Sequence, residues 1–166
     1  MRERQAEFER IAIPHSACLL RFARRLTGNK TAAEDLVQEA LFQAWRGFDG
    51  FAPGTNVRAW LFRILINTCH GSGRKARREP VTVPIEFGLR SAGSGHDGAF
   101  DIAQAFDQLP EEQRVVLMLA VVEGFTCREV ASILTVPIGT VMSRLSRARQ
   151  ALRARLAPLP AAQGVR

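Results

Sequence analysis

The sequence predicts an all-α protein: two small helical domains joined by a flexible linker, the second a four-helix domain built around a helix-turn-helix. Three observations predict this. No segment sustains the period-2 alternation of a half-buried strand, and apolar residues recur instead at helical spacing. The stretch Glu79-Pro-Val-Thr-Val-Pro-Ile-Glu-Phe-Gly-Leu-Arg-Ser-Ala-Gly-Ser-Gly-His-Asp-Gly98 combines two prolines with a Gly/Ser cluster, a poor helix and a good linker. A structureless run of that length is unusual inside one compact domain. Finally, a short helix, a three-residue turn and a longer basic helix close the ordered part of the chain. The expected boundaries are 1–78 for the first domain, 79–99 for the linker, 100–157 for the second domain and 158–166 for a tail.

In the first block, Thr31-Ala-Ala-Glu34 has the pattern of a capping box, with a hydroxyl and a carboxylate satisfying each other's backbone donors at a helix start. Leu36, Val37, Ala40, Leu41, Ala44 and Phe48 then share one helical face. The opposite face carries Asp35, Gln38, Glu39, Arg46 and an aromatic, Phe42. One exposed aromatic is usually without meaning. Among charged residues it also suits an anchor for a partner, and the pattern alone leaves both readings open. Gly50-Phe-Ala-Pro-Gly-Thr-Asn56 is rich in turn formers. From about Val57 to Thr68 the chain is apolar almost all round (Trp60, Leu61, Phe62, Ile64, Leu65, Ile66), the mark of a mostly buried helix.

In the second block, Leu109-Pro110 marks a helix start, Val115, Val116, Leu119 and Val122 form its apolar stripe, and Gly124 suits its C-terminal cap. Thr126-Cys-Arg-Glu129 is a second capping box. The short helix it opens ends near Leu134, Thr135-Val-Pro137 breaks the chain, and a long helix follows from about Ile138 to Leu156. In such a motif the second helix enters the DNA major groove. Val141, Leu145, Ala148, Leu152 and Leu156 form a docking stripe, and Gly139, Ser143, Ser146, Arg147 and Gln150 face the other way. Small side chains allow close approach to the groove floor. Arg147 suits a guanine edge, which presents two acceptors. Arg144, Arg149, Arg153 and Arg155 suit phosphates, which position a protein without reading sequence. The plainer reading is a solvated basic face on a bundle helix. The capped preceding helix, the short turn and the absence of acids from Val130 to Leu156 weigh against it.

Composition agrees. Hydrophobic residues make up 46% of the 166, enough for packed cores, and the formal charge of +7 points to a polyanionic partner. Three scattered cysteines, Cys18, Cys69 and Cys127, are no disulfide framework and suit a reducing compartment. No apolar run is long enough to span a bilayer and no signal peptide is evident, so the expected location is the cytoplasm, without membrane insertion. His15-Ser-Ala-Cys18 and Cys69-His70 lack zinc-site spacing, so no metal is expected. Phosphate-binding glycine loops, nucleophile elbows and metalloprotease motifs are missing, so the expectation is a non-enzyme with no cofactor and no small-molecule substrate.

Together these segments resemble a known family. Leu109-Pro-Glu-Glu-Gln-Arg114, Glu123-Gly-Phe-Thr126 and Val136-Pro-Ile-Gly-Thr-Val-Met-Ser-Arg-Leu145, continuing through Arg147-Ala-Arg149, resemble the C-terminal promoter-binding domain (region 4) of extracytoplasmic-function (ECF) RNA polymerase sigma factors of the sigma-70 family. Phe22-Ala-Arg-Arg-Leu-Thr-Gly28, Ala33-Glu-Asp-Leu-Val-Gln-Glu39 and Arg58-Ala-Trp-Leu-Phe-Arg63, followed by Asn67-Thr68, resemble that family's N-terminal domain (region 2). Two matches in the right order make a specific signal, where a helix-turn-helix alone is a weak one.

The resemblance implies an alternative sigma factor that binds core RNA polymerase and promoter DNA and initiates transcription. Polymerase docking would fall to Asp35, Gln38, Glu39, Phe42 and Arg46. Binding and melting of the −10 element would fall to Phe51, Thr55, Asn56, Arg58, Arg63 and Asn67, with a flipped base held by the Phe51–Asn56 loop and Asn67. The alternative for single residues of that set is a core phenylalanine or a helix-cap asparagine. The −35 element would meet Gly139, Thr140, Met142, Ser143, Arg144, Ser146, Arg147 and Arg149. An anti-sigma factor is a further expected partner. The chain departs from the family pattern twice. His70-Gly-Ser-Gly73 interrupts a basic helix and predicts an early end to it, unless DNA orders it, because each glycine costs about 1 kcal/mol in a helix interior. Met142 stands where many relatives carry a base.

Rival readings are a stand-alone helix-turn-helix regulator, a protein that mimics a sigma factor to titrate its regulators, and a basic membrane-surface protein. The first leaves the Asp35–Arg46 face unused, the second leaves the arginine-bearing helix unexplained, and the third needs exposed apolar stripes where these look like core.

Overall fold

The computed structural model describes residues 2–76 and 104–156, with side chains described for 2–71 and 104–156. The linker, the first and last residues of each expected domain and the tail lie outside the described residues. Among those described, every regular element is helical. The helices are α1 (Arg2–Ala12), α2 (Ser16–Thr27), α3 (Lys30–Arg46), α4 (Val57–Ala76), α5 (Glu111–Leu117), α6 (Cys127–Leu134) and α7 (Ile138–Leu156). Short 3₁₀ turns at Ile13–His15 and Phe48–Gly50 join helices of the first group. Residues 104–107 are also helical and precede α5 in the second group.

The N-terminal group packs α2 on α3 and α3 on α4, with α1 against α4. Its core holds Leu19, Phe22, Ala33, Ala40, Ala44, Leu61, Phe62 and Leu65, all but sealed from solvent. Phe22 and Phe62 meet edge to face at 5.0 Å, the arrangement that sets a positive ring edge on a negative ring face. The expected α3 face is the buried one: Leu36, Val37, Ala40, Ala44 and Phe48 point inward and Leu41 is half-buried. The start of α3 differs from expectation. Its cap is Asn29, whose side-chain oxygen accepts from the Ala32 amide at 3.0 Å. Thr31 already lies inside the helix, and Glu34 turns toward Arg24 at 3.6 Å and Lys30 at 4.0 Å. Asparagine is as good a cap as threonine, and an earlier start adds helical hydrogen bonds.

The sequence pattern gives no reading for α1, yet it is tied down firmly. Phe8 packs edge to face on Trp45 at 5.4 Å and on Phe48 at 5.3 Å. Arg4 lies over the Trp45 ring at 4.2 Å, donates to the Trp45 carbonyl at 2.9 Å and pairs with Asp49 at 2.7 Å. Helix α4 corrects the glycine expectation: it runs unbroken through Gly71 and Gly73 to Ala76. Its buried first half nucleates it, and once nucleated each added residue gains a hydrogen bond that offsets the glycine penalty.

In the C-terminal group, α7 packs on both α5 and α6. Val141 and Ala148 are fully buried and Leu145 nearly so, against Val116, Val130 and Ile133. The stripe fades outward, with Leu152 half-buried and Leu156 exposed. Thr126 and Glu129 form the expected capping box on α6. Thr135 ends α6 in the left-handed region at φ 55°, a conformation unusual for a β-branched residue, before Pro137. One expectation fails at the end of α5. The helix widens into a π-turn over Met118–Val122, with the Glu123 amide bonding five residues back to Met118. That extra residue turns Val122 out, 49% exposed, and brings Glu123 inward. Gly124 follows at φ +73°, which favours glycine.

Candidate nucleic-acid interface

The outer face of α7 is built as its sequence suggests. Gly139, Met142, Ser143, Ser146, Arg147, Arg149 and Gln150 are exposed, while Thr140 is half-buried in the first turn. The Ser143 hydroxyl donates to the Thr140 carbonyl at 3.0 Å, which anchors it to the helix. Met142 is 58% exposed, an apolar patch amid this polar face. Arg144 differs from its neighbours: it pairs with Glu112 of α5 at 2.6 Å and is three-quarters covered. It therefore ties α7 to α5. Beside the face, Cys127, Leu145, Arg149 and Arg153 line an open groove between α6 and α7.

The residues expected to dock on polymerase form one surface on α3. Asp35, Gln38, Glu39, Phe42 and Arg46 are all exposed. Phe42 is 54% exposed, and the Arg46 guanidinium lies over its ring at 5.9 Å. Gln43 donates to Glu39 at 2.6 Å along the same edge.

The third set divides. Phe51 is not free: it stacks with Phe48 at 6.2 Å and meets Trp60 at 4.9 Å, so the loop is pinned from beneath by an aromatic cluster reaching back to Phe8. Thr55, Arg63 and Asn67 are exposed. Thr55 donates to the Ala52 carbonyl at 2.7 Å and closes the loop on itself. Asn56 caps α4, its side-chain oxygen accepting from the Ala59 amide at 3.1 Å. Its amide nitrogen reaches a different part of the chain, donating to Glu129 at 2.6 Å. Arg58 does the same. It donates to the Glu123 carbonyl at 2.7 Å and to the Glu123 carboxylate at 2.5 Å, and its guanidinium sits over Phe125 at 4.5 Å. Arg25 approaches the other Glu123 oxygen at 3.8 Å.

These contacts join α4 to α6 and the π-turn. Phe62 and Phe125 meet edge to face at 5.1 Å beneath them. The charges have consequences. Hydrogen bonds from the Thr126 amide and hydroxyl, then from Asn56, with the Arg58 charge, hold the Glu129 carboxyl below its ordinary value. Burial, then the charge of Arg58, lowers His15. Sequence reasoning gave no contact to Glu123, Phe125, Arg25 or Arg4. The first three lie inside the motifs Glu123-Gly-Phe-Thr126 and Phe22-Ala-Arg-Arg-Leu-Thr-Gly28, and only Arg4 left no trace.

The two His/Cys pairs sit in different settings. Cys18 donates its thiol to the His15 carbonyl at 2.9 Å, and burial raises the Cys69 thiol. Among the described residues, no helix is long and apolar enough to cross a membrane.

Residues 14–79 match Sigma-70 region 2 and residues 99–152 match Sigma-70 region 4. The chain is 40% identical over 139 residues to the ECF RNA polymerase sigma factor EcfG of Rhodopseudomonas palustris, covering 81% of this chain and 77% of that protein. The chain belongs to the extracytoplasmic-function sigma factors. It is 37% identical over 152 residues to SigL of Mycobacterium tuberculosis, covering 87% of this chain and 86% of that one. Among solved structures, the sigma factor RpoE of Bartonella quintana, in complex with the anti-sigma factor NepR, aligns with a TM-score of 0.77 at 34% identity, over 90% of this chain and 96% of that one. CnrH, in complex with the cytosolic domain of CnrY, aligns with a TM-score of 0.67 at 28% identity, over 92% and 88% of the two chains. As a sigma factor the protein is a DNA-binding initiation factor that recognises promoters, and not an enzyme.

Proposed function

We propose that this sigma factor docks on core RNA polymerase through the α3 face of Asp35, Gln38, Glu39, Phe42 and Arg46, reads the −35 element with α7, and binds and melts the −10 element with the loop and helix that carry Phe51, Thr55, Asn56, Arg58, Arg63 and Asn67. The working domains are 1–78 and 100–157, and the site of action is the cytoplasm. One observation carries the reading. The outward face of α7 sets Gly139, Ser143, Ser146 and Arg147 in solvent on a helix held rigidly by buried Val141, Leu145 and Ala148. That is the geometry a recognition helix needs, with small residues for close approach and a fork-shaped donor for guanine. Chemistry is left to the polymerase, and the sigma factor supplies binding, orientation and the energy to hold an unpaired strand. A −10 pocket on a loop pinned by Phe48 and Trp60 suits that task, because a preorganised pocket lowers the cost of capturing an extruded base. An anti-sigma factor is the expected regulator, since the similar RpoE is seen with the anti-sigma factor NepR, and CnrH is likewise seen with the cytosolic domain of CnrY.

Run-off transcription by purified core polymerase on a library of promoter fragments, with and without the protein, tests this. New start sites sharing a −35/−10 pair are expected. Silence with an active core, together with specific duplex binding by the protein alone, would replace the reading with that of a stand-alone regulator.

A further inference from the structure

One large apolar side chain stands open on a face that is otherwise polar. On α7, Met142 is 58% exposed, and Ile138, one turn earlier on the same flank, is 42% exposed. Helical spacing sets Met142 and Arg147 on opposite flanks of the outward face, with Gly139, Ser143, Ser146 and Gln150 between them. Met142 lies on the flank nearest α6, where it lines the open groove with Cys127, Ser146 and Arg149. A lone apolar residue on a surface needs no explanation. The setting of this one is different. Its neighbours across the face, Gly139 and Ser146, are too small to cover it. Packing does not require Gly139 to be small, since a Cβ placed there would meet no atom within 4 Å. The Ser143 hydroxyl beside Met142 is turned back to the Thr140 carbonyl at 3.0 Å. The helix therefore presents the thioether outward and unobstructed.

Chemistry narrows what such a side chain can meet. Met142 falls within the first two turns of α7, the part of a recognition helix that meets base edges. A thioether has no donor and is only a weak acceptor. Against a phosphate it would displace water from a charge and offer nothing in return. Against the polar edge of guanine, adenine or cytosine it would cover hydrogen-bonding groups without satisfying them. The major groove presents one apolar group, the C5-methyl of thymine. The unbranched, flexible methionine chain can follow that methyl over the groove floor. Charge favours DNA over an apolar protein surface as the occupant. Arg149 and Arg153 border the patch, and no acid lies between Val130 and Leu156.

We propose that Met142 reads a thymine methyl in the −35 element, so that one A·T pair of the promoter is chosen by an apolar contact and not by a hydrogen bond. The inference rests on the reading that α7 binds the −35 element, and it adds the base that Met142 selects. Arg147 and Met142 then specify different base pairs, one through a forked donor and the other through shape. Ile138 extends the apolar wall toward the start of the helix.

The test uses holoenzyme reconstituted from core polymerase and the full chain. Duplexes are first selected from promoter fragments randomised across the −35 region. Each thymine of the selected element is then replaced, one at a time, by deoxyuridine, which keeps the pairing and the O4 acceptor and lacks only the methyl group. At one position the replacement is expected to weaken binding about fourfold, the worth of one buried methyl group. Met142→Ala should abolish that loss at that position alone, Met142→Leu should keep it, and Met142→Arg should move the selected base from thymine to guanine. A −35 element indifferent to every deoxyuridine, or a loss equal in wild type and Met142→Ala, refutes the inference while leaving the −35 reading in place. Weaker core binding by Met142→Ala with an unchanged −35 preference also refutes it, and gives the patch to a protein contact. Selection of no −35 sequence by wild-type holoenzyme refutes the inference and the reading beneath it together.

Discussion

The outward face of α7 and the N-terminal end of α4 carry similar chemistry, arginines set among small polar residues. Their surroundings are opposite. On α7, Arg147 and Arg149 stand in solvent with Ser143 and Ser146 between them. On α4, Arg58 is bound on both sides of its guanidinium to one glutamate and covered by an aromatic ring. The difference teaches that residue types alone do not make a surface ready to bind an anion. An arginine offered to solvent is ready for any anion that arrives. An arginine already satisfied by a buried carboxylate must first lose that partner, which makes its binding conditional on a change of shape. Even within α7 the contrast repeats, since Arg144 is held by Glu112 while Arg147 is free to reach outward.

The largest effect that would break the comparison is removal of the ring at the domain junction. Phe62 is fully buried and touches Phe22 on one side and Phe125 on the other. Phe62→Ala should cost about 3–5 kcal/mol, read as a fall in the denaturant midpoint, and should part the domains as well. A loss under about 1 kcal/mol would mean that the ring is less central than its packing suggests. Next in size, Arg147→Ala should lose about 1–3 kcal/mol of −35 duplex affinity and relax one base position, measured by binding to single-base variants in the presence of core polymerase. Unchanged sequence preference removes the base-reading role. On the α3 face, Phe42→Ala should weaken core binding by about 1–2 kcal/mol in a titration, leaving the thermal midpoint unmoved, as expected of an exposed anchor. Thr126→Ala removes the α6 cap and should cost about 1 kcal/mol of stability.

The smallest effect concerns pH. Glu129 has its carboxyl lowered by Thr126 and Asn56, so its ionised form is favoured by the fold. That contribution is present above the ordinary glutamate value and is lost as pH falls through the lowered one. Thermal midpoints measured on that acid side should drop less steeply in Glu129→Gln than in the wild type, and parallel slopes would remove Glu129 from the account.

Much of this molecule was legible along the chain. The buried faces of α3 and α7, the α6 capping box and the Pro137 break follow from period 3.6 and from local capping chemistry, which act over four residues or fewer. Where the reading slipped, the competitor was nearby and of similar strength. Asn29 and Thr31 are both good caps, and the chain uses the one that starts α3 earlier. Gly71 and Gly73 argued for a stop, but their penalty is smaller than the gain from propagating a helix already anchored by Leu61, Phe62 and Leu65. The π-turn was not legible, because one extra residue in a turn changes which side chain faces inward without changing composition.

The sequence by itself determined that the chain is helical, that a long basic helix follows a capped short one, and which side chains that helix presents outward. Each of these is set by residues within a turn or two of one another. Only the tertiary structure decided that Arg58 meets Glu123 and Asn56 meets Glu129, across 65 and 73 residues of chain. Side-chain charge announces that an arginine seeks an anion, but which anion it finds depends on how two helical groups pack, and no local pattern carries that information.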